Sequence, residues 1–223
     1  MKARPDAVLV GALLALTFST GIIDAVSFLA LGQVFTANMT GNVALLGFAL
    51  FSPELSLPRS LTALGVFLLG AMAGGRLAAS AALAPGRRWI AAAFAGEAVL
   101  LAACAIAAHG AASPIEARSL AYLLIAVLAF AMGIRNAIVR CIGLRDLPTT
   151  VVTSSLADLG MTIAARDGRS PWKRAVASAV LMVVGAGAGA LMLRASVSFA
   201  LAASALIAAV CAGALGVRRR ESP

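Results

Sequence analysis

Apolar residues run through this chain in long blocks, separated by short breaks rich in glycine, proline and charge. Breaks at Gly32/Gln33, Ser52 to Pro58, Pro85 to Arg88, His109 to Glu116, Arg140 to Pro148, Arg166 to Pro171 and Arg194/Ala195 leave eight apolar segments, at about 7–31, 34–51, 60–84, 89–108, 118–139, 148–165, 172–193 and 196–217. A helix needs roughly 20 apolar residues to cross a bilayer core. The pattern therefore predicts a polytopic helical bundle, with no segment outside the membrane long enough to fold separately. The second and sixth segments are the shortest and most polar, and at about 1.5 Å per residue they barely reach across as straight helices.

Those two segments sit inside a repeated polar motif. "GIIDAVSFLALGQVFTANMTGNVALLG", Gly21 to Gly47, aligns with "GIRNAIVRCIGLRDLPTTVVTSSLADLG", Gly133 to Gly160. Gly21 falls on Gly133, Asp24 on Asn136 and Ala25 on Ala137; after one inserted residue, Thr36 meets Thr149, Thr40 meets Thr153, Asn42 meets Ser155 and Gly47 meets Gly160. Downstream, Gly70 and Gly74 align with Gly185 and Gly189. Ordered polar positions do not recur by chance as readily as apolar ones, so the chain reads as an internal duplication, with a first repeat at 7–109 and a second at 118–217.

Charge sets the orientation of the two halves. If the second and sixth segments enter and leave on one side, each half crosses three times. The cytoplasmic side then holds Lys2, Arg4, Arg76, Arg87, Arg88, Arg140, Arg145, Arg166, Arg169, Lys173, Arg174 and Arg218 to Arg220, against Arg59, Arg118 and Arg194 outside. Eight crossings would instead put Arg76, Arg87, Arg88, Arg140, Arg145 and Arg194 outside, a much weaker positive-inside bias. The expected fold is thus an all-α integral membrane protein forming a single membrane domain. It has six transmembrane helices arranged as two inverted three-helix repeats, each with a short polar re-entrant or half-spanning segment. Both termini are expected in the cytoplasm, and the run after Lys2 and Arg4 is too long for a cleaved signal and is expected to be retained.

Composition agrees: 61% of the 223 residues are hydrophobic, 12% are charged and the mean hydropathy is +0.99, whereas soluble domains carry about a quarter charged residues. The net charge of +9 is absorbed by topology and implies no nucleic-acid partner. Cys104, Cys141 and Cys211 have no metal-ligand spacing and read as free thiols. Trp89 and Trp172 begin segments, as interfacial anchors do, and Arg218 to Arg220 suit anionic lipid.

Candidate chemistry lies in the polar motifs. Asp24 is deep in an apolar segment, where an ionised carboxylate costs at least about 2.5 kcal/mol without a partner or water. It is the candidate proton or cation site, against the alternative of a structural ion pair. Asn38, Thr40, Gly41 and Asn42 of "NMTGN", with Thr149, Thr150, Thr153, Ser154 and Ser155 of "TTVVTSS", offer uncharged groups that suit a polar solute or a cation, or that cap half-helices and join segments. Arg135, beside Asn136, needs a carboxylate, carbonyls or a route to the interface, with Asp24 and Asp158 as the candidate partners, or else it binds an anion. Glu97 is a further intramembrane carboxylate and a weaker relay candidate. The glycines near Gly70 and Gly185 read as close helix packing.

The two motifs resemble the paired signatures of the YoaK-like family, domain of unknown function 1275. The resemblance covers essentially the whole chain and is most specific in the Asp24–Ala25 pair and the run from Phe35 to Asn42. It implies a small bacterial inner-membrane protein with about six transmembrane helices, and it carries no agreed substrate. The second motif departs from the family pattern. Arg135 stands where glutamine is usual before Asn-Ala, and Thr153 and Ser154 stand where Thr-Gly usually follows.

With no catalytic constellation, no metal cluster and no phosphate loop, the chain is expected to be no enzyme and to use no cofactor. The leading expectation is a small-solute or ion transporter or facilitator of the inner membrane, coupled through Asp24. Its site would comprise Asp24, Asn38, Thr40, Gly41, Asn42, Arg135, Asn136, Thr149, Thr153 and Ser155. Its partners would be the bilayer, a small polar solute or ion and, given glycine-rich helix faces, a second copy in a homodimer. The contrasting expectation is a scaffold or accessory subunit whose polar motifs only pack helices.

Overall fold

The computed structural model describes residues 7–52, 55–81, 87–110, 118–142 and 172–217. They form seven helices: α1 (Ala7–Ala30), α2 (Met39–Ala49), α3 (Leu57–Ala81), α4 (Arg87–Ala107), α5 (Arg118–Ile142), α6 (Trp172–Met192) and α7 (Val197–Gly216). Helices α1, α3, α4, α5 and α7 are long and apolar enough to cross a bilayer, while the described apolar stretch of α6 is Val176–Met192. No strand occurs among the described residues. The expected segment at 148–165 lies outside them, with Thr149, Thr150, Thr153, Ser154, Ser155 and Asp158.

The bundle is apolar outside as well as inside. Val183 is 72% exposed and Ile106 76% exposed, while Leu13, Leu16, Leu124 and Leu128 are buried on the opposing helix faces. An apolar outer belt of this kind fits lipid tails, which act on it as a solvent no more polar than leucine.

Helix α1 stops where the backbone turns left-handed, at Gly32 (φ 97°) and Gln33 (φ 57°), and the Gln33 N–H donates to the Phe28 carbonyl at 3.0 Å. Glycine is favoured at position 32 by its φ, and a Cβ there would also push the flexible Arg59 side chain aside. Arg59 also lies over the Tyr122 ring, 6.0 Å from its centroid, so the α1 end, α3 and α5 meet at this level. Beyond the turn, α2 has 11 residues and spans only about 16 Å. It packs on α3, and Asn42 is its one buried residue.

The same crossing occurs twice. Helix α5 lies against α3: Gly133 faces the Phe67 carbonyl and Ala71, and Gly70 faces the Phe130 carbonyl. Helix α1 lies against α6: Gly21 faces the Met182 carbonyl and Ala186, and Gly185 faces the Phe18 carbonyl. The correspondence extends one turn further. A Cβ on Gly74 would meet the Ile134 Cα at 2.9 Å and the Ala137 Cβ at 3.0 Å, and one on Gly189 would meet the Ile22 Cα at 2.8 Å and the Ala25 Cβ at 3.0 Å. Each residue named in one crossing has its counterpart in the other, at the offset of Gly21 to Gly133 between α1 and α5 and of Gly70 to Gly185 between α3 and α6. In both crossings the contacts advance together along the two helices, so α3 and α5 run parallel, as do α1 and α6.

Helices α4 and α7 run antiparallel. The Ser198 hydroxyl, at the start of α7, donates to the Ala105 carbonyl near the end of α4 at 2.7 Å, and Gly216, at the end of α7, lies against Ala91 near the start of α4. The turn between α6 and α7 is tight, with Ser196 capping α7 by accepting the Phe199 N–H at 3.0 Å. Helix α7 therefore also runs antiparallel to α1, and α1 and α4 point the same way.

Candidate functional site

The first polar motif folds back onto α1. Asp24 is 5% exposed, and its Oδ1 accepts the backbone N–H groups of Thr36 at 3.3 Å and Ala37 at 3.0 Å. Its Oδ2 is buried and has no hydrogen-bond partner, and the Thr36 hydroxyl is in the same condition. A buried orphan carboxylate oxygen is unfavourable unless something binds it.

The rest of "NMTGN" builds the loop that presents Thr36 and Ala37. Asn38 is the N-cap of α2, its side chain accepting the Gly41 N–H at 3.2 Å. Asn42 pairs with Phe35 in both directions, accepting its N–H at 2.9 Å and donating to its carbonyl at 2.6 Å. The Phe35 ring stacks on Phe28 with centroids 4.9 Å apart, and a Cβ on Gly41 would come within 2.9 Å of that ring. Thr40 is exposed. Asn38, Gly41 and Asn42 thus support the loop, and Asp24 is the group in it with an unused atom.

Arg135 is placed elsewhere than beside Asp24. It is 1% exposed and pairs with Glu97, itself 4% exposed: Nε donates to Oε2 at 2.9 Å and Nη2 to Oε1. Its Nη1 donates to the Leu16 carbonyl at 2.9 Å and to the Thr20 hydroxyl at 2.7 Å. The planar fork suits this role, because a bidentate carboxylate pair with further acceptors on the remaining nitrogen is what keeps a buried guanidinium tolerable. The cluster joins α1, α4 and α5. Sequence reasoning singled out Glu97 but did not pair it with Arg135; the available signal was charge bookkeeping, since an intramembrane arginine requires an intramembrane carboxylate.

Asn136, the counterpart of Asp24, is half-buried and accepts from Arg140 Nε at 2.8 Å. The remaining predicted site residues, Thr149, Thr153 and Ser155, lie outside the described residues, as does Asp158. Cys104 and Cys211 are buried and Cys141 exposed, all free. Among the described residues no three His, Cys, Asp or Glu side chains gather as a metal site.

The arrangement separates two kinds of charge. Glu97 and Arg135 neutralise each other, while the Asp24 carboxylate is held by uncharged N–H donors with one oxygen left over. That oxygen can take a proton, ligate a cation or accept a hydrogen bond.

Residues 12–214 match the family model described as a protein of unknown function, DUF1275. The chain is similar to the UPF0700 transmembrane protein YoaK of Bacillus subtilis (strain 168), 34% identical over 153 residues, which are 68% of this chain and 65% of that protein. The aligned stretch thus spans just under two thirds of the relative's length. No solved structure matches the chain.

Proposed function

The chain belongs to the DUF1275 family, and on that footing we propose that it is a small-solute or ion transporter or facilitator of the bacterial inner membrane, coupled to a proton or cation through Asp24. The observation that carries the reading is the Asp24 Oδ2 atom, buried and unpartnered beneath a loop that leads into a half-length helix. Irregular backbone at membrane depth is tolerated where it is buried in protein or lines a watery cavity, and transporters with inverted repeats place their sites at such broken segments.

The proposed frame is six crossings in two inverted three-helix repeats. It is supported by the antiparallel packing of α4 and α7: eight crossings would make these helices the fourth and eighth, and therefore parallel. It is supported too by the length of α2 and by the recurrence of the glycine crossings. Topology labelling tests it. With single cysteines at Ser56 or His109, or Cys141 kept alone, an impermeant thiol reagent added to spheroplasts is expected to modify the first two and spare the third. Eight crossings would give the opposite pattern.

The coupling role is tested by Asp24→Asn, which preserves the shape and can still accept the Thr36 and Ala37 N–H groups. In proteoliposomes on a solid-supported membrane, a panel of small polar solutes under sodium or proton gradients is expected to evoke wild-type currents that fall at least tenfold in the variant. Undiminished currents in Asp24→Asn would remove Asp24 from the mechanism. The scaffold reading has one observation in its favour, the internal use of Asn38, Asn42 and Arg135. It predicts that Asp24→Asn impairs assembly and that the wild type carries no flux.

A further inference from the structure

The seam between α1 and α7 holds polar atoms that neither the first polar motif nor the Glu97–Arg135 cluster uses. The Cys211 thiol on α7 points at the Ala12 carbonyl of α1, 3.6 Å away, which fixes the register of the two antiparallel helices. About two turns along each helix from that contact, towards the far end of the bundle, α1 presents Ser19 and α7 presents Ser204. Two turns restore nearly the same helix face, so the two serines lie at one level of one seam. Both are 0% exposed, and neither hydroxyl has a hydrogen-bond partner.

Other buried hydroxyls on α1 satisfy themselves locally. Thr17 donates to the Leu13 carbonyl at 2.9 Å, Thr20 to the Leu16 carbonyl at 2.9 Å and Ser27 to the Asp24 carbonyl at 3.2 Å. The same back-bond to the preceding turn is open to any serine in a helix, yet neither Ser19 nor Ser204 makes it. Orphaned hydroxyls in an apolar interior are unfavourable, and two at one level call for a shared partner.

We infer that the α1–α7 seam is a second station of the proposed transport route, where the Ser19 and Ser204 hydroxyls hold a small neutral molecule by hydrogen bonds. Hydroxyls can donate and accept, so they suit an amide, a polyol or a similar uncharged solute. The charges nearest this seam are already paired: Thr20, next to Ser19, accepts from Arg135, whose guanidinium is committed to Glu97, Leu16 and Thr20, so an ion finds no free counter-charge there among the described residues. The inference rests on the transport reading and narrows it, assigning the charge to the coupling ion at Asp24 and leaving the solute uncharged.

Substituted cysteines test it without requiring flux. Methanethiosulfonates react with thiolate, which forms only where water reaches. In a cysteine-free background, Ser19→Cys and Ser204→Cys are expected to react with the small neutral methyl reagent at least tenfold faster than Leu13→Cys and Ala208→Cys, which are equally buried on the same two helices. Sulfonate- and ammonium-bearing reagents are expected to lag the methyl reagent at least tenfold at both serine positions. Molar glycerol, a neutral polyol probe, is expected to slow the methyl reagent there and not at Cys141. If one serine variant fails to fold, the other addresses the same level from the opposite helix.

Rates no faster than the controls would overturn the station, and charged reagents reacting as fast would overturn its neutrality. Rates indifferent to glycerol would leave water as the occupant and overturn the solute assignment. Fast labelling in a protein that gives no flux would sink the transport reading while keeping the site. Flux with unreactive serine positions would do the reverse.

Discussion

Glu97→Leu is expected to lower the stability of the purified protein by about 3–5 kcal/mol, because it strands the Arg135 guanidinium without its carboxylate. Both partners are buried, Arg135 at 1% and Glu97 at 4% exposure, and neither helix can turn its charge outward without leaving the core. The Leu16 carbonyl and Thr20 hydroxyl still accept from Nη1, but neutral acceptors do not replace a bidentate carboxylate. Arg135→Met should be damaging for the mirror reason, leaving the Glu97 carboxyl buried without its partner. The double variant Glu97→Leu/Arg135→Met removes both charges at similar volume and is expected to return to within about 1 kcal/mol of the wild type, or to exceed it. Unfolding by SDS in mixed micelles reads all three. A Glu97→Leu protein as stable as the double variant would mean that the pair is not a closed unit.

The helices were legible in the sequence because crossing a bilayer forces long apolar blocks: α1 and α7 begin and end within a residue of the expected segments, and the segment that holds α2 stood out as one of the two shortest and most polar. The depth of Asp24, which is buried, was visible from its position, as was the capping potential of the Asn38 to Asn42 run, borne out at Asn38. The partner of Arg135 was not. Near neighbours in sequence or motif, Asp24 and Asp158, looked natural, but pairing inside a bundle depends on which helices touch, and α4 touches α5. Hydropathy fixes the depth of a residue and leaves its azimuth open. The orphaned hydroxyls of Ser19, Thr36 and Ser204 were equally hidden, since the sequence does not say which serines back-bond to their own helix.

The glycine crossings make the second large prediction. Gly133→Ala puts a methyl group into the backbone of α3 at Phe67 and Ala71, and Gly21→Ala puts one into the backbone of α6 at Met182 and Ala186. Backbone has no rotamer to yield, so the helices must separate along their closest line of approach. The expected cost is about 1–3 kcal/mol or more for each variant, together with lower yields of folded protein. Gly75→Ala and Gly187→Ala meet nothing within 4 Å and are expected to stay within about 0.5 kcal/mol of the wild type. The equivalent positions of the two crossings are expected to respond alike. If one ancestral crossing was duplicated, Gly21→Ala and Gly133→Ala should cost nearly the same, and so should Gly70→Ala and Gly185→Ala, because each pair inserts the same atom into the same contact. Two separately evolved interfaces have no reason to match in this way. Melting temperatures that agree within each pair, with the control glycines unaffected, would mean that the two crossings are energetically as well as geometrically equivalent. A large split within a pair would mean that the shared geometry no longer sets the packing energy.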